Sequence, residues 1–593
     1  MCGIIGYVGS ENVVPIIVAG LKRLEYRGYD SAGIAVECDN KFEVIKQKGR
    51  IAALEKLINL NPIKGTIGIG HTRWATHGEP SDVNSHPHLG GESKIVIVHN
   101  GIIENYKQLK ERLERKGITF ASQTDSEVVA QLAEHYHKGN LLETVIKTTN
   151  ALEGSYALGF MSLDNPGTII AVKKDNPLIV GVASHGNFIA SDVPAILEHT
   201  KQVYYLNDKE IAVLTKDHVE FINMDKEPIE KQIETITWNV DSAEKGGYPH
   251  FMLKEIMEQP TVIGSTIKQP MPIPDIKDFN KIVITACGSA YNAGVVSKYV
   301  FESLCRFPSI EVELASEFRY KDAVVDEKTL VILVSQSGET ADTIAAMREA
   351  KNKGATTLSI VNVIGSTIAK ESDYTIYTAA GPEIAVATTK AFSTQLICLY
   401  MLAIKFAAQL NKIQNEEELI SEVQTIPEKV ALILQQIDAI AKYASSCVAY
   451  KSIFFIGRNI DYAIALEGSL KLKEISYIHS EAYAGGELKH GTISLIEEET
   501  LVVAVSCCEK LHGKLMSNVE QVISRGAKVL LINNTHEIKT DDKLSLIELP
   551  QIHELFSPSL SVIALQLFSY YVAANKGLDI DKPRNLAKSV TVE

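Results

Sequence analysis

The sequence predicts an α+β domain built of antiparallel sheets, followed by two α/β domains with doubly wound parallel sheets. Three observations carry that prediction. The second half of the chain repeats itself, the first half alternates short strands with few helices, and a polar, glycine-containing stretch separates the two.

In residues 1–240, short alternating strands such as Gly65–Gly70, Lys94–His99 and Thr168–Val172 are separated by Gly and Asn turns. Helical runs are fewer, notably Asn12–Leu24 and Ser126–His137. Asp241-Ser-Ala-Glu-Lys-Gly-Gly-Tyr-Pro-His250 reads as a connector, taken as residues 241–259. Beyond it, Thr329-Leu-Val-Ile-Leu-Val-Ser335 returns near 171 residues later as Thr500-Leu-Val-Val-Ala-Val-Ser506. Gly354–Asn362 pairs with Gly526–Asn534, Lys281–Gly288 with Ser452–Gly457, and Glu383 and Gln395 with Glu554 and Gln566. Each match is an apolar, β-branched run closed by a small residue and followed by an amphipathic stretch, the order of a βαβ unit. One match could be chance; several in register indicate duplication. The two α/β domains are expected at 260–425 and 440–583, with a separate tail at 584–593.

At 593 residues the length prior is about four domains, and the pattern reduces it to three. A hydrophobic share of 45% lets each bury its own core. The net charge of −14, with no basic stripe, argues against nucleic acid but not against a small anionic substrate. The apolar stretch Ile397–Leu410 is broken by Lys405, so no membrane-spanning segment is expected, and the front end lacks a signal peptide's basic region. Eight cysteines without C-x-x-C spacing exclude a disulfide framework and a zinc ribbon. The expectation is a soluble cytoplasmic enzyme.

The first chemical signal is Cys2. Removal of the initiator Met would place its thiol beside a free α-amino group of pKa about 7.7–8.0, able to take the thiol proton. The alternative is a buried cysteine that packs beside Ile4. Cys2-Gly-Ile-Ile-Gly, Leu24-Glu-Tyr-Arg-Gly-Tyr-Asp-Ser-Ala-Gly33, Gly70-His-Thr-Arg-Trp-Ala-Thr-His-Gly78 and His99-Asn-Gly101, in that order, resemble the class II glutamine amidotransferase domain. The resemblance implies an N-terminal nucleophile fold of stacked antiparallel sheets. It implies that Cys2 attacks the glutamine side-chain amide, with Asn100 and the Gly101 N–H stabilising the oxyanion. Arg73 would take the α-carboxylate and Asp125 the α-ammonium, with Thr76 and His77 lining the same pocket. Arg27 would hold the nucleophile, and Trp74 would gate ammonia. From the residues alone, Arg73 and Asp125 could instead form surface ion pairs, Trp74 could fill a core, and Asn100-Gly101 could be a hairpin turn. The histidines His71, His77, His86, His88 and His99 lack H-E-x-x-H or a cysteine pair, so no metal is expected.

The second signal is Ser335-Gln-Ser-Gly-Glu-Thr340, between an apolar strand and the helical run Ala341–Ala350. Hydroxyls and free N–H groups at a helix start suit phosphate; a plain N-cap with a capping-box Glu339 is the alternative. The duplicate reads Ser506-Cys-Cys-Glu-Lys510, so only the first repeat is expected to cradle phosphate. Ala286-Cys-Gly-Ser-Ala290 would present Ser289 to the same ligand. Strand–Ser-x-Ser-Gly-x-Thr–helix resembles the SIS (sugar isomerase) domain, which binds phosphosugars. No dinucleotide fingerprint or Walker lysine is present, and no cofactor is expected.

The third signal is Ala463–Ile478, where Glu467, Lys471 and Glu474 share helical spacing; a solvated stripe is the alternative. Glu481–Gly491 and the apolar-ended tail Pro583–Glu593 follow, the tail patterned as though it docks. The whole arrangement resembles the family of isomerising aminotransferases that use L-glutamine and D-fructose 6-phosphate. That resemblance implies a Schiff base at Lys588, proton transfer by Glu474, ring opening by His490, and Lys471 near the same oxygens. Ser289, Ser335, Gln336, Ser337 and Thr340 would hold the phosphate and sugar hydroxyls, with Glu383 and Val386 lining the pocket. It also implies a homodimer sharing active-site residues. Ala290 stands where the family usually shows a second hydroxyl, and Thr492 where it has Pro. A phosphosugar-sensing module with an inert N-terminal domain is the rival reading; it would need neither Lys588 nor Glu474.

Overall fold

The computed structural model describes residues 2–236, 245–534 and 537–591. Met1, residues 241–244 of the expected connector and the last two residues of the tail lie outside them. The described residues form two compact units: one holds those up to Ile236 and those from Ala587 onward, the other those from Lys245 to Leu586.

The first unit contains an eight-stranded antiparallel sheet, with Gly3–Gly9 between Gly186–Ala190 and Ile67–Arg73, and a six-stranded one with Ile95–Ile103 beside Gly154–Ser162. The sheets stack face to face: Ile4, Val8 and Ile69 of the first pack with Val96, Val98 and Ala157 of the second. On the outer face of the first sheet, Ile5 and Tyr7 pack against helices Val13–Leu24 and Ile51–Leu60. Outside the second, Ile95 and Ile97 pack against Ser126–Tyr136 and Leu141–Asn150. Both faces of Gly3–Gly9 are therefore buried, which is why that strand reads as a continuous apolar run rather than an alternation.

The second unit contains two five-stranded parallel sheets. Their strands lie in the orders Ile310–Leu314, Lys281–Ala286, Thr329–Ser335, Thr356–Val361, Tyr374–Tyr377 and His479–Ala484, Ser452–Gly457, Leu501–Ser506, Lys528–Asn533, Leu544–Glu548. In chain order both run 2-1-3-4-5, so the duplication seen in sequence is a duplication of topology. In each, the order reverses between the first and third strands, which opens a crevice at their C-terminal ends. One continuous apolar core, including Ile284, Phe392, Ile464 and Leu565, serves both sheets. Helices Phe251–Met257 and Gln259–Ile267 belong to this unit, and the Asp581 carboxylate accepts the Phe251 and Met252 N–H groups at 2.9 Å each.

The reason for expecting no membrane-spanning segment, the break at Lys405, does not hold by itself. By length and composition, Lys390–Gln409 and Glu554–Asn575 are apolar enough to cross a membrane despite Lys405. In each, 89% of the most apolar window is buried inside the protein, so these are core helices of the second unit that pass the same hydropathy test.

Candidate functional site

In the first unit, Cys2 precedes the central strand Gly3–Gly9. Its Sγ accepts the Trp74 N–H at 3.2 Å, and its carbonyl accepts the Asn100 side-chain amide at 2.9 Å and Arg27 Nε at 3.3 Å. Arg27 is held in turn by Asp192 at 2.8 Å. Burial pushes the Cys2 thiol above its ordinary pKa, opposed in part by the Trp74 N–H. Deprotonating this sulfur therefore needs a base.

A cavity of about 20 Å³ is lined by Cys2, Arg73, Trp74, Thr76, Gly101 and Asp125, so six of the expected residues converge on one point. Arg73 and Asp125 are each 3% exposed, which removes the surface ion-pair alternative. The Arg73 guanidinium donates to the carbonyls of His77, Gly78 and Glu79, clasping the turn that carries Thr76. Asp125, at the start of helix Ser126–Tyr136, accepts the Ile103 N–H at 2.9 Å and lies 3.8 Å from His77 Nδ1. Trp74 is half-buried with its ring edge on Tyr29, not a core filler.

Asn100 and Gly101 lie within strand Ile95–Ile103, not in a hairpin turn. Gly101 has φ +129°, and an added Cβ would stand 2.0 Å from the Ser155 carbonyl oxygen. Gly101→Ala is therefore expected to distort this strand and cut glutamate release from glutamine by about 10²–10³-fold, the range for losing one oxyanion donor. Unchanged glutamate release would remove Gly101 from that role.

His71, His86, His88 and His99 form a buried cluster. His71 Nε2 donates to the His99 carbonyl at 2.9 Å and to Asn100 Oδ1 at 3.0 Å, orienting that amide. The His86 ring stacks on His71 at 4.0 Å between centroids. Burial drives the His71 pKa down to about 3 and those of His86 and His88 well below the usual value. Among the described residues, no group of three or more His, Cys, Asp or Glu is placed to hold a metal ion. Because unfolded histidine titrates near 6.5, the unfolded chain binds the extra protons first. Stability is full above that pH and falls below it by about 1.4 kcal/mol per pH unit for each such histidine. The urea midpoint should drop clearly between pH 7 and pH 5; a flat profile would contradict the buried neutral cluster.

In the second unit, Ser335–Thr340 fills the turn between strand Thr329–Ser335 and helix Ala341–Asn352. Ser335 Oγ accepts the Gly338 N–H at 3.0 Å and lies 3.2 Å from Thr340 Oγ1, while Ser337 Oγ accepts the Glu339 N–H at 3.1 Å. The Gln336 carbonyl is held by the Asn362 N–H at 3.2 Å. Glu339 makes no capping box: its carboxylate accepts the N–H and hydroxyl of Thr367 at 2.7 and 2.9 Å. Thr340 occupies the N-cap without a side-chain cap bond, which leaves the helix N–H groups available to an anion.

Ser289 opens helix Gly288–Cys305, and its hydroxyl accepts Lys471 Nζ at 3.0 Å. On helix Ile460–Ser476, Lys471 lies 2.6 Å from Glu474 and 3.4 Å from Glu467, and Glu467 accepts Asn292 Nδ2 at 2.9 Å. Lys471 is 1% exposed and Glu467 fully buried, so this is not a solvated stripe. Burial alone would lower the Lys471 pKa, but Glu474 and Glu467 hold it above the ordinary lysine value. Glu383 spends its carboxylate on the Thr389 and Ala391 N–H groups, capping helix Lys390–Gln409, and the Val386 N–H bonds the Asp581 carbonyl.

His490 is exposed on the turn Glu487–His490. Lys588 is half-buried and falls in the first unit, where the tail hydroxyl of Thr591 bonds Asn176 Oδ1 at 3.0 Å. Sequence reasoning assigned no role to Asp30, His71 or Asp192. Asp30 accepts the Ala75 N–H and fixes the turn after Arg73. Its motif, Tyr29-Asp-Ser31, was the available signal.

The glutamine amidotransferase domain family matches residues 71–198, and the SIS domain family matches 275–405 and 448–576. Over the full length of both chains, the protein is 53% identical to the glutamine–fructose-6-phosphate aminotransferase (isomerising) of Clostridium acetobutylicum and 47% identical to that of Aquifex aeolicus. A solved C-terminal domain of glucosamine-fructose-6-phosphate aminotransferase from Francisella tularensis superposes with a TM-score of 0.55 at 39% identity, covering 57% of this chain and 99% of that one.

Proposed function

The chain belongs to the glutamine–fructose-6-phosphate aminotransferase (isomerising) family, and we propose that it moves the amide nitrogen of L-glutamine onto D-fructose 6-phosphate. Ketose–aldose isomerisation then yields D-glucosamine 6-phosphate and L-glutamate. The observation that carries this reading is the cavity on which Cys2, Gly101, Arg73 and Asp125 converge, in a chain that matches its relatives from end to end.

Cys2 Sγ attacks the side-chain carbonyl carbon of glutamine while its proton passes to the α-amino group. The developing oxyanion is met by the Gly101 N–H and the Asn100 amide. The α-ammonium returns that proton to the leaving nitrogen, and collapse expels ammonia and leaves a glutamyl thioester that water cleaves to glutamate. Arg73 and Asp125 hold the substrate's α-carboxylate and α-ammonium, the planar guanidinium matching the carboxylate. A cavity of about 20 Å³ holds roughly one water, so the pocket must widen to admit glutamine. Trp74 gates the ammonia, which stays nucleophilic only while shielded from protonation.

The Ser335–Thr340 turn and Ser289 bind the phosphate and hydroxyls of the sugar. His490 opens the ring, and Lys588 condenses with the C2 carbonyl, releasing water. Ammonia displaces the lysine at C2, and Glu474 carries the proton between C1 and C2. Lys471, 2.6 Å from Glu474, positions that carboxylate. The exposure of His490 suits a residue given to a second copy of the chain, in a cytoplasmic homodimer.

The test is direct: incubation with glutamine and fructose 6-phosphate, with glucosamine 6-phosphate followed by mass. Lys588→Ala is expected to lower synthesis by at least about 10³-fold while glutamine hydrolysis persists. Intact synthesis in that variant would refute the assignment.

A further inference from the structure

In the first sheet, the crevice between the first and third strands holds Ser289 and the Ser335–Thr340 turn. The same crevice exists in the second sheet, between Ser452–Gly457 and Leu501–Ser506. There the turn reads Ser506-Cys507-Cys508, and its backbone N–H groups are already engaged. The Asp461 carboxylate accepts the N–H of Cys507 and of Cys508 through one oxygen, Oδ2, at 2.9 Å each. Asp461 sits in the first turn of helix Ile460–Ser476, 171 residues after Ala290, its counterpart in the first repeat. A methyl group in one crevice thus corresponds to a carboxylate in the other.

We propose that the second repeat keeps a phosphate-type anion site of its own, and that the Asp461 carboxylate fills it as an internal substitute for a phosphate monoester.

Three further features fit a ligand site rather than an ordinary turn. Asp461 is 2% exposed, and its second oxygen, Oδ1, is buried without a hydrogen-bond partner. A carboxylate placed only to satisfy its neighbours would use both oxygens; this one engages the two N–H groups with one and leaves the other idle. Ser506, the counterpart of Ser335, lies with Oγ 2.9 Å from His512 Nδ1, much as Ser335 lies 3.2 Å from Thr340. Burial raises the Asp461 carboxyl to about 7, while the two N–H groups pull the other way, so the turn itself favours an anion. At the rim, Glu554 lies 3.6 Å from Cys508 Sγ and pairs with Lys510 at 3.0 Å, and Glu509 follows Cys508 in the turn. Duplication would have produced two phosphate sites, and one side chain closes the second.

Removing that side chain should reopen the site. Crystals of the full-length protein and of Asp461→Ala are soaked in tungstate, a phosphate analogue, and anomalous peaks are located. The wild type is expected to show no peak at Cys507–Cys508, and the variant one new peak there. In solution, the variant should melt below the wild type in phosphate-free buffer, and inorganic phosphate should raise its melting temperature by more than it raises that of the wild type. If Asp461→Ala does not fold, Asp461→Ser, whose hydroxyl can still accept one N–H, carries the same test. A folded variant with no anion at Cys507–Cys508 and no added phosphate response overturns the proposal. The peak at Ser335–Thr340 reads the sugar-phosphate assignment separately, because it is expected in both proteins.

Discussion

Cys2→Ala is expected to abolish glutamine-dependent formation of glucosamine 6-phosphate, by about 10⁴-fold or more, while synthesis from ammonium salts stays within a few-fold of the wild type. The size follows from removing a nucleophile for which no neighbouring group substitutes; such losses reach about 10⁴–10⁶ in enzymes that form acyl intermediates. The selectivity follows from position. The side chain of Cys2 touches Trp74, and its carbonyl touches Asn100 and Arg27, all in the first unit. The substitution removes the sulfur but keeps the carbonyl that Asn100 and Arg27 bind, so the surrounding frame should stand. Cys2→Ser should be nearly as inactive, because a hydroxyl is harder to deprotonate than a thiol whose pKa burial has already raised. Product yields with glutamine and with ammonium, measured side by side, decide the matter. Retained glutamine use would mean another nucleophile; loss of both activities would mean that Cys2 is needed for folding.

Lys471→Met should damage both stability and catalysis. Lys471 is a buried cation between Glu474 and Glu467, and neither carboxylate has another cation at ion-pair distance among the described residues. Removing one partner of a buried pair typically costs about 3–5 kcal/mol, because the remaining charge stays out of water. Here two carboxylates would be stranded, and the link from Lys471 to Ser289 on the first-repeat helix would be lost. The urea midpoint should fall by the corresponding amount, and synthesis should drop with it. Adding Glu467→Gln to Lys471→Met should restore part of the stability but not the activity, since Glu474 would still lack its cation. A stability loss below about 1 kcal/mol in the single variant would show that the triad is hydrated after all.

Much of the fold was legible in the chain. Parallel strands such as Thr329–Ser335 and Leu501–Ser506 are buried on both faces, so each reads as an unbroken apolar run, and duplication in register exposed the pair. The residues around Cys2 were legible because they sit in four dense motifs close to turns and strand ends. Lys471 was not: an i,i+4 Glu–Lys spacing looks the same on a wet face as in a buried triad. Only helix Gly288–Cys305, bringing Ser289 and Asn292 against it, makes the difference. The capping alternative for Glu339 could not be decided from the chain either, since Thr367, the residue that takes its carboxylate, is 28 positions away.

Composition and pattern thus determined the classes of domain, their duplication and the residues gathered around Cys2, because those depend on local periodicity and on residues near one another in sequence. Tertiary structure decided which charges are dry and which crevice is open. Asp461 shows why. Its charge is visible in the sequence, but that it caps the N–H groups of Cys507, 46 residues away, and of Cys508 depends on the strands ending at Gly457 and Ser506 meeting side by side in a sheet.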